Sequence, residues 1–231
     1  MSWNTSRACS PPPAAAEPRR RWLRAALAAL LAPAARRAQA GAQVYEPLAD
    51  AVRSAMAARI ADTAPPRRGF ANAGERLAYV DWLDEMSTRL VARVPDYRQR
   101  LDFLRTLDYE CTRAALDRQM ALGLIEVESG FRKYAISSAG ARGYMQVMPF
   151  WAGLIGDGDP RRLFEMQANL RYGCVILRYY LDLESNDLFR ALGRYNGSLG
   201  RPEYPNAVVG AWHARWAYVP PAPHREPRSL G

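Results

Sequence analysis

Residues 113–130 read RAALDRQMALGLIEVESG, and the register of this stretch decides the fold. Leu116, Met120, Leu122, Leu124, Ile125 and Val127 leave no polar face wide enough for an exposed helix, so 113–129 reads as a buried helix. Gly130 supplies the residue that ends it. A buried helix needs amphipathic partners, and the flanks provide them. Upstream, 43–62 carries Val44, Leu48, Val52, Met56 and Ile60 at steps of four, and Ala64 to Gly69, with two prolines, breaks it. Residues 74–92 place Leu77, Val80, Leu83, Met86, Leu90 and Val91 on one face, and Pro95-Asp96 open a third helix through Leu101, Leu104 and Leu107. Downstream come a Ser/Ala/Gly loop at 135–143 and a short helix at 144–154 interrupted by Pro149. Helices at 165–183 and 187–196 follow, with a last one at 208–216. Strand alternation is missing, so the fold class is all-α.

The 231 residues suit one globular domain with a tail at either end, and 49% apolar residues give it a core. The formal net charge is +9, but residues 1–40 hold seven arginines against Glu17 alone, so most of the excess lies outside the helical body. The body has no basic block with interleaved aromatics, which argues against nucleic acid as a partner. Arg19-Arg20-Arg21-Trp22-Leu23-Arg24, the apolar run Ala25–Leu31 and Ala38-Gln39-Ala40 follow the order of a secretory leader. The arginine string also fits a twin-arginine signal, so Sec and Tat-like export both stay open. The run is too short to cross a bilayer, and no transmembrane span is expected. Cleavage would start the mature chain near Gly41 and leave two cysteines, Cys111 and Cys174. That count suits one disulfide in an oxidising compartment, with two buried thiols as the alternative. His213 and His224 stand apart from both cysteines, so neither a metal nor a cofactor is expected. From residue 218 the Pro-rich tail reads as disordered.

Glu128 is the residue with chemistry to offer. It sits among apolar neighbours at the negative end of a helix, and both effects favour its protonated form, as a general acid requires. Glu126, two residues earlier, faces another side. An acid near a helix end is more often simply exposed, so position alone does not make Glu128 a catalyst.

Four ordered motifs change that reading. Glu128-Ser129 is followed by Ser137 and then Gly140-Ala141-Arg142-Gly143-Tyr144-Met145-Gln146 with Pro149. Asn169 opens the next long helix, and Arg194-Tyr195-Asn196-Gly197 comes later. Over about 110–200 this resembles the soluble lytic transglycosylases, whose catalytic domain is lysozyme-like and related to goose-type lysozymes. The resemblance implies Glu128 as acid and base, Ser137, Met145, Gln146 and Asn196 along the sugar groove, and Tyr195 beside the acid. It implies a helix-opening structural role for Asn169. Ser129 either orients Glu128 or ends its helix. Tyr144, Arg194 and Ser198 depart from the pattern: Leu usually precedes Met-Gln, a small residue precedes Tyr-Asn, and Gly-x-Gly often follows.

The expected organisation is therefore a signal peptide over 1–40, an N-terminal helical segment over 41–108 packed on the catalytic domain, the catalytic domain over 109–217 and the tail over 218–231. The substrate implied is the glycan strand of peptidoglycan, cut without water to leave 1,6-anhydromuramic ends in the periplasm or envelope. Residues 129–156 hold no Asp or Glu, so the second carboxylate of an ordinary glycosidase is not evident. A hydrolytic muramidase of the same fold and a non-catalytic envelope glycan-binding protein are the alternatives. Envelope or secretion-machine proteins are further partners to consider.

Overall fold

The computed structural model describes residues 43–64 and 66–220; the expected leader over 1–40 and residues 221–231 of the tail lie outside the described residues. The described residues are all-α, with isolated bridges at Ile136–Arg142 and Arg142–Val147 in place of a sheet. None of their helices is long and apolar enough to cross a membrane.

The first helix, α1 (Asp50–Ala61), starts later than the periodicity suggested. Pro47 biases Glu46 away from helical geometry, so residues 43–49 stay extended and form a strap. Helices α2 (Ala73–Leu90) and α3 (Tyr97–Arg113) follow, capped by Asn72 and Asp96, whose side chains accept from Glu75 N at 2.9 Å and Gln99 N at 2.7 Å. The stretch read as one helix from 113 is broken. Ala115 takes φ 51°, and Asp117 caps a fresh helix, α4 (Arg118–Ser129), by accepting from Gln119 N at 2.6 Å.

Helix α4 is the axis of the domain. Met120, Leu122, Leu124 and Ile125 are buried, each worth roughly 1.5–3 kcal/mol of apolar transfer. Around α4 pack α3, α8 (Glu203–Ala211) and a π-helical turn (Trp212–Trp216). That last pair corrects the helix expected at 208–216, which begins five residues earlier; Pro205 falls in its first turn, where a missing N–H costs nothing. Helix α5 (Phe150–Ile155) begins after Pro149 instead of spanning 144–154, because proline opens a helix better than it continues one. A 3-10 turn (Pro160–Phe164) leads into α6 (Met166–Leu183), which packs on α3 and on α7 (Leu188–Asn196).

Buried ion pairs lock the early helices to the rest. Glu110 on α3 receives Arg171 of α6 at 2.8 Å, with both side chains at most 4% exposed. Asp108 receives Arg68 and Arg118, each at 2.5 Å. Breaking such a pair strands a charge in the interior, so these contacts fix the arrangement more firmly than surface bridges do. Tyr218, expected in the disordered tail, is instead held on the domain: its N–H donates to Gln119 Oε1 at 2.5 Å and its carbonyl accepts from Gln119 Nε2 at 3.1 Å.

Candidate active site

Helix α4 carries Glu128 in its last turn and ends on Gly130, which adopts φ 58° as the left-handed cap. The Glu128 side chain points inward and only 5% of the residue is exposed. Oε1 accepts from the Tyr204 hydroxyl at 2.5 Å, while Oε2 is buried without a partner. Burial raises the carboxyl to about 8, and the Tyr204 bond opposes that rise. At neutral pH Glu128 therefore holds a proton it can give up.

Glu126 faces the other way and is a clasp. It accepts from Arg93 at 2.9 Å, from Arg215 at 2.7 Å and from Trp216 Nε1 at 2.7 Å. These bonds pin the end of α4 to the chain before α3 and to the π turn.

The loop after Glu128 is braced by the polar residues of the motifs. Asn169 Oδ1 accepts from Met145 N at 2.8 Å, and its Nδ2 donates to the carbonyls of Arg142 and Leu163, both at 2.8 Å. Gly143, at φ 75°, lies so close that a Cβ would fall 2.4 Å from Asn169 Nδ2 and 2.5 Å from the Leu163 carbonyl. No other residue fits there. Gln146, itself at φ 48°, donates from Nε2 to Gly143 O at 2.9 Å and Ala135 O at 3.2 Å. Ser137 Oγ accepts from Ala141 N at 3.0 Å, closing the turn at the loop tip.

Met145, expected at the groove, and Tyr195, expected beside the acid, are both 0% exposed. Met145 packs on Gly173 of α6, where a Cβ would sit 2.3 Å from its sulfur. Tyr195 donates its proton to the Met145 carbonyl at 2.8 Å. It stands within electrostatic range of Glu128 but makes no bond to it. Gln146 is also buried, at 1%. Ser129 donates to the Ile125 carbonyl at 3.2 Å, so its hydroxyl serves the helix end. Asn196 and Ser137 remain partly exposed, and Asn196 Nδ2 donates to Ser198 at 3.1 Å.

Tyr204 is the residue the sequence did not yield. It lies 76 positions from Glu128, and the one signal was its place in the first turn of a helix whose start was read too late.

No group of three or more His, Cys, Asp or Glu able to hold a metal occurs among the described residues. The acids that follow Glu128 are engaged on the surface: Asp157 and Glu165 with Arg162 at 2.5 and 3.5 Å, and Asp159 with Arg161 at 2.8 Å. Cys111 and Cys174 face each other across α3 and α6 with sulfurs 3.8 Å apart, as buried free thiols and not as the disulfide anticipated.

A buried acid outside any ion pair among the described residues, Glu128, sits in an all-α, lysozyme-like helical domain. Residues 107–209 match the family described as "Transglycosylase SLT domain". Membrane-bound lytic murein transglycosylase C of Haemophilus influenzae (strain ATCC 51907 / DSM 11121 / KW20 / Rd) is 30% identical over 130 residues, covering 50% of this chain and 36% of that protein. The protein of the same name from Histophilus somni (strain 2336) is 34% identical over 116 residues, covering 44% and 30%. That of Mannheimia succiniciproducens is 37% identical over 68 residues, covering 29% and 19%. The matched stretch thus spans about a third of the length of the first of these curated relatives, 36%.

Proposed function

We propose that this protein is a peptidoglycan lytic transglycosylase acting through Glu128 alone. The observation that carries the reading is the buried Glu128, its carboxyl raised to about 8, within the family-matched region, with the next three acids, Asp157, Asp159 and Glu165, each tied to an arginine on the surface. The Glu128 proton goes to the glycosidic oxygen between N-acetylmuramic acid and N-acetylglucosamine as the bond to the anomeric carbon breaks. The resulting carboxylate takes the proton of the muramic C6 hydroxyl, whose oxygen bonds to the same carbon. Atoms balance without water, metal or cofactor, and Glu128 ends as it began. The internal hydroxyl is already at high effective concentration, so no second carboxylate is needed to activate a nucleophile. A carboxyl poised at about 8 suits both halves, giving its proton near neutral pH and remaining basic enough to recover one.

Ser137 and Asn196, the exposed members of the motifs, are the proposed sugar contacts, with Met145, Gln146 and Tyr195 shaping the groove from behind. The leader-like start and the relatives' printed name support work in the periplasm or envelope. The deciding experiment digests purified peptidoglycan and weighs the products. Anhydro ends, lighter by one water, support the proposal. Reducing ends would assign a hydrolytic muramidase, and no release would leave a glycan-binding protein.

A further inference from the structure

The strap residues Gln43–Glu46 lie well upstream of the family match at 107–209, yet they are built into the site. Gln43 is 4% exposed, and its Oε1 accepts from Trp151 Nε1 at 2.8 Å. Tyr45 sets its ring edge-on to Phe150 with centroids 5.7 Å apart. Glu46 receives Arg194 Nη1 at 3.2 Å, while Arg194 Nε donates to Glu184. Arg194 directly precedes Tyr195, at the position where the family pattern has a small residue. The departure therefore has a partner: the arginine and the strap glutamate are two halves of one contact beside the Tyr-Asn motif.

The Gln43 amide reaches further in. Its Nε2 is buried and makes no well-formed hydrogen bond. It faces the Tyr195 hydroxyl, whose own proton is committed to the Met145 carbonyl, so the tyrosine oxygen presents a lone pair toward the amide. Tyr195 in turn neighbours both Glu128 and Tyr204. A buried donor left without an acceptor is costly, and the nearby oxygen is where that cost can be recovered by a small approach.

We propose that Gln43 is a positioning residue of the active site, holding Tyr195 against the Met145 carbonyl and so fixing the polar wall beside Glu128. The inference rests on the reading of Glu128 as acid and base. It makes the strap part of the catalytic centre, which the family-matched residues do not complete by themselves.

The test uses the full chain with Gln43→Leu, which keeps the size and removes the amide, and Gln43→Glu, which keeps the acceptor for Trp151 and removes the donor. Trp151→Phe is the control that loosens the strap and leaves the amide. Three quantities are read: kcat and KM on peptidoglycan, melting temperature, and the titration of the Glu128 carboxyl by its infrared carbonyl band. Gln43→Leu is expected to lower kcat about fivefold and leave KM within about twofold, the scale of one hydrogen bond. Its Glu128 midpoint should shift, because a Tyr195 no longer held by the amide changes the polar wall beside the carboxyl. Gln43→Glu should move both in the same direction, and Trp151→Phe, which removes the anchor of the Gln43 oxygen but leaves the donor, should move both by less. Unchanged kcat and midpoint in a folded Gln43 variant overturn the proposal, as do losses in every variant that only follow melting temperature. If the wild-type protein cleaves no glycan, the enzymatic reading fails, and the infrared midpoint alone decides for or against Gln43.

Discussion

Tyr204 donates its hydroxyl proton to Glu128 Oε1 at 2.5 Å, joining the first turn of α8 to the last turn of α4. This is the only hydrogen bond found for the Glu128 carboxyl among the described residues, since Oε2 has none. Tyr204 therefore sets how far burial can raise the acid. Tyr204→Phe removes a bond that favours the carboxylate, so the midpoint should climb above about 8. The basic limb of kcat/KM should move to higher pH, and kcat should fall about tenfold because the carboxylate formed in the first step loses its donor. A pH–rate profile checks both; an unshifted limb would show that the bond carries no electrostatic weight.

Glu128→Gln should abolish cleavage and stabilise the fold. The folded carboxyl titrates at about 8 against an ordinary 4.5, so between those values the native state binds more protons than the unfolded chain. Stability falls as pH rises through that window, by on the order of 4 kcal/mol at its far end. Below the lower value both states are protonated and the effect vanishes. Glu128→Gln should flatten this slope, giving a melting temperature above wild type near pH 8 and equal to it near pH 4. Glu126→Gln should do the opposite at neutral pH: it weakens the clasp on Arg93, Arg215 and Trp216 and lowers melting by about 1–3 kcal/mol while cleavage persists.

Asn169→Leu should cost about 3–5 kcal/mol, because three backbone groups of the 142–145 and 163 segments lose their partner at once in a buried place. Gly143→Ala should be as damaging, since its Cβ meets backbone and an anchored amide at a φ of 75°. Chemical denaturation of each variant gives the figure. A loss under 1 kcal/mol would mean the loop is braced elsewhere.

The helical architecture was readable because it depends on apolar spacing and caps, which are local. Asp96 and Gly130 mark real helix ends, whereas Asp117, inside the helix expected at 113–129, is a cap the apolar spacing hid. The errors fell where a local pattern competes with distant packing. Residues 43–49 keep helical spacing, yet Pro47 and the pocket beside Trp151 draw them out straight. Motif membership does not tell exposed from buried: Met145 and Tyr195, expected at a groove and beside the acid, are both 0% exposed. Tyr204 and Gln43 act through contacts spanning 76 and 108 residues, which no periodicity records.

Cys111 and Cys174 supply the last expectation. Their sulfurs, 3.8 Å apart on α3 and α6, need only a small closing movement to bond, and both are sealed from solvent, with the contact to Cys174 and then burial holding the Cys111 thiol well above its ordinary range. A thiol kept protonated is a poor nucleophile, so the folded reduced protein should resist oxidation by small disulfides for hours. Oxidation during folding is different, because the unfolded thiols are exposed and ionise normally. Protein refolded under oxidising conditions should lose two hydrogen atoms by mass, their electrons passing to the added oxidant, and gain about 4 kcal/mol over the reduced form, from the long loop the bond closes. Protein folded first and oxidised afterwards should stay two hydrogen atoms heavier. Equal masses in the two preparations would show that the pair opens readily in the folded state, and an equal melting temperature with and without the bond would show that closing it strains α3 against α6 by as much as the crosslink contributes.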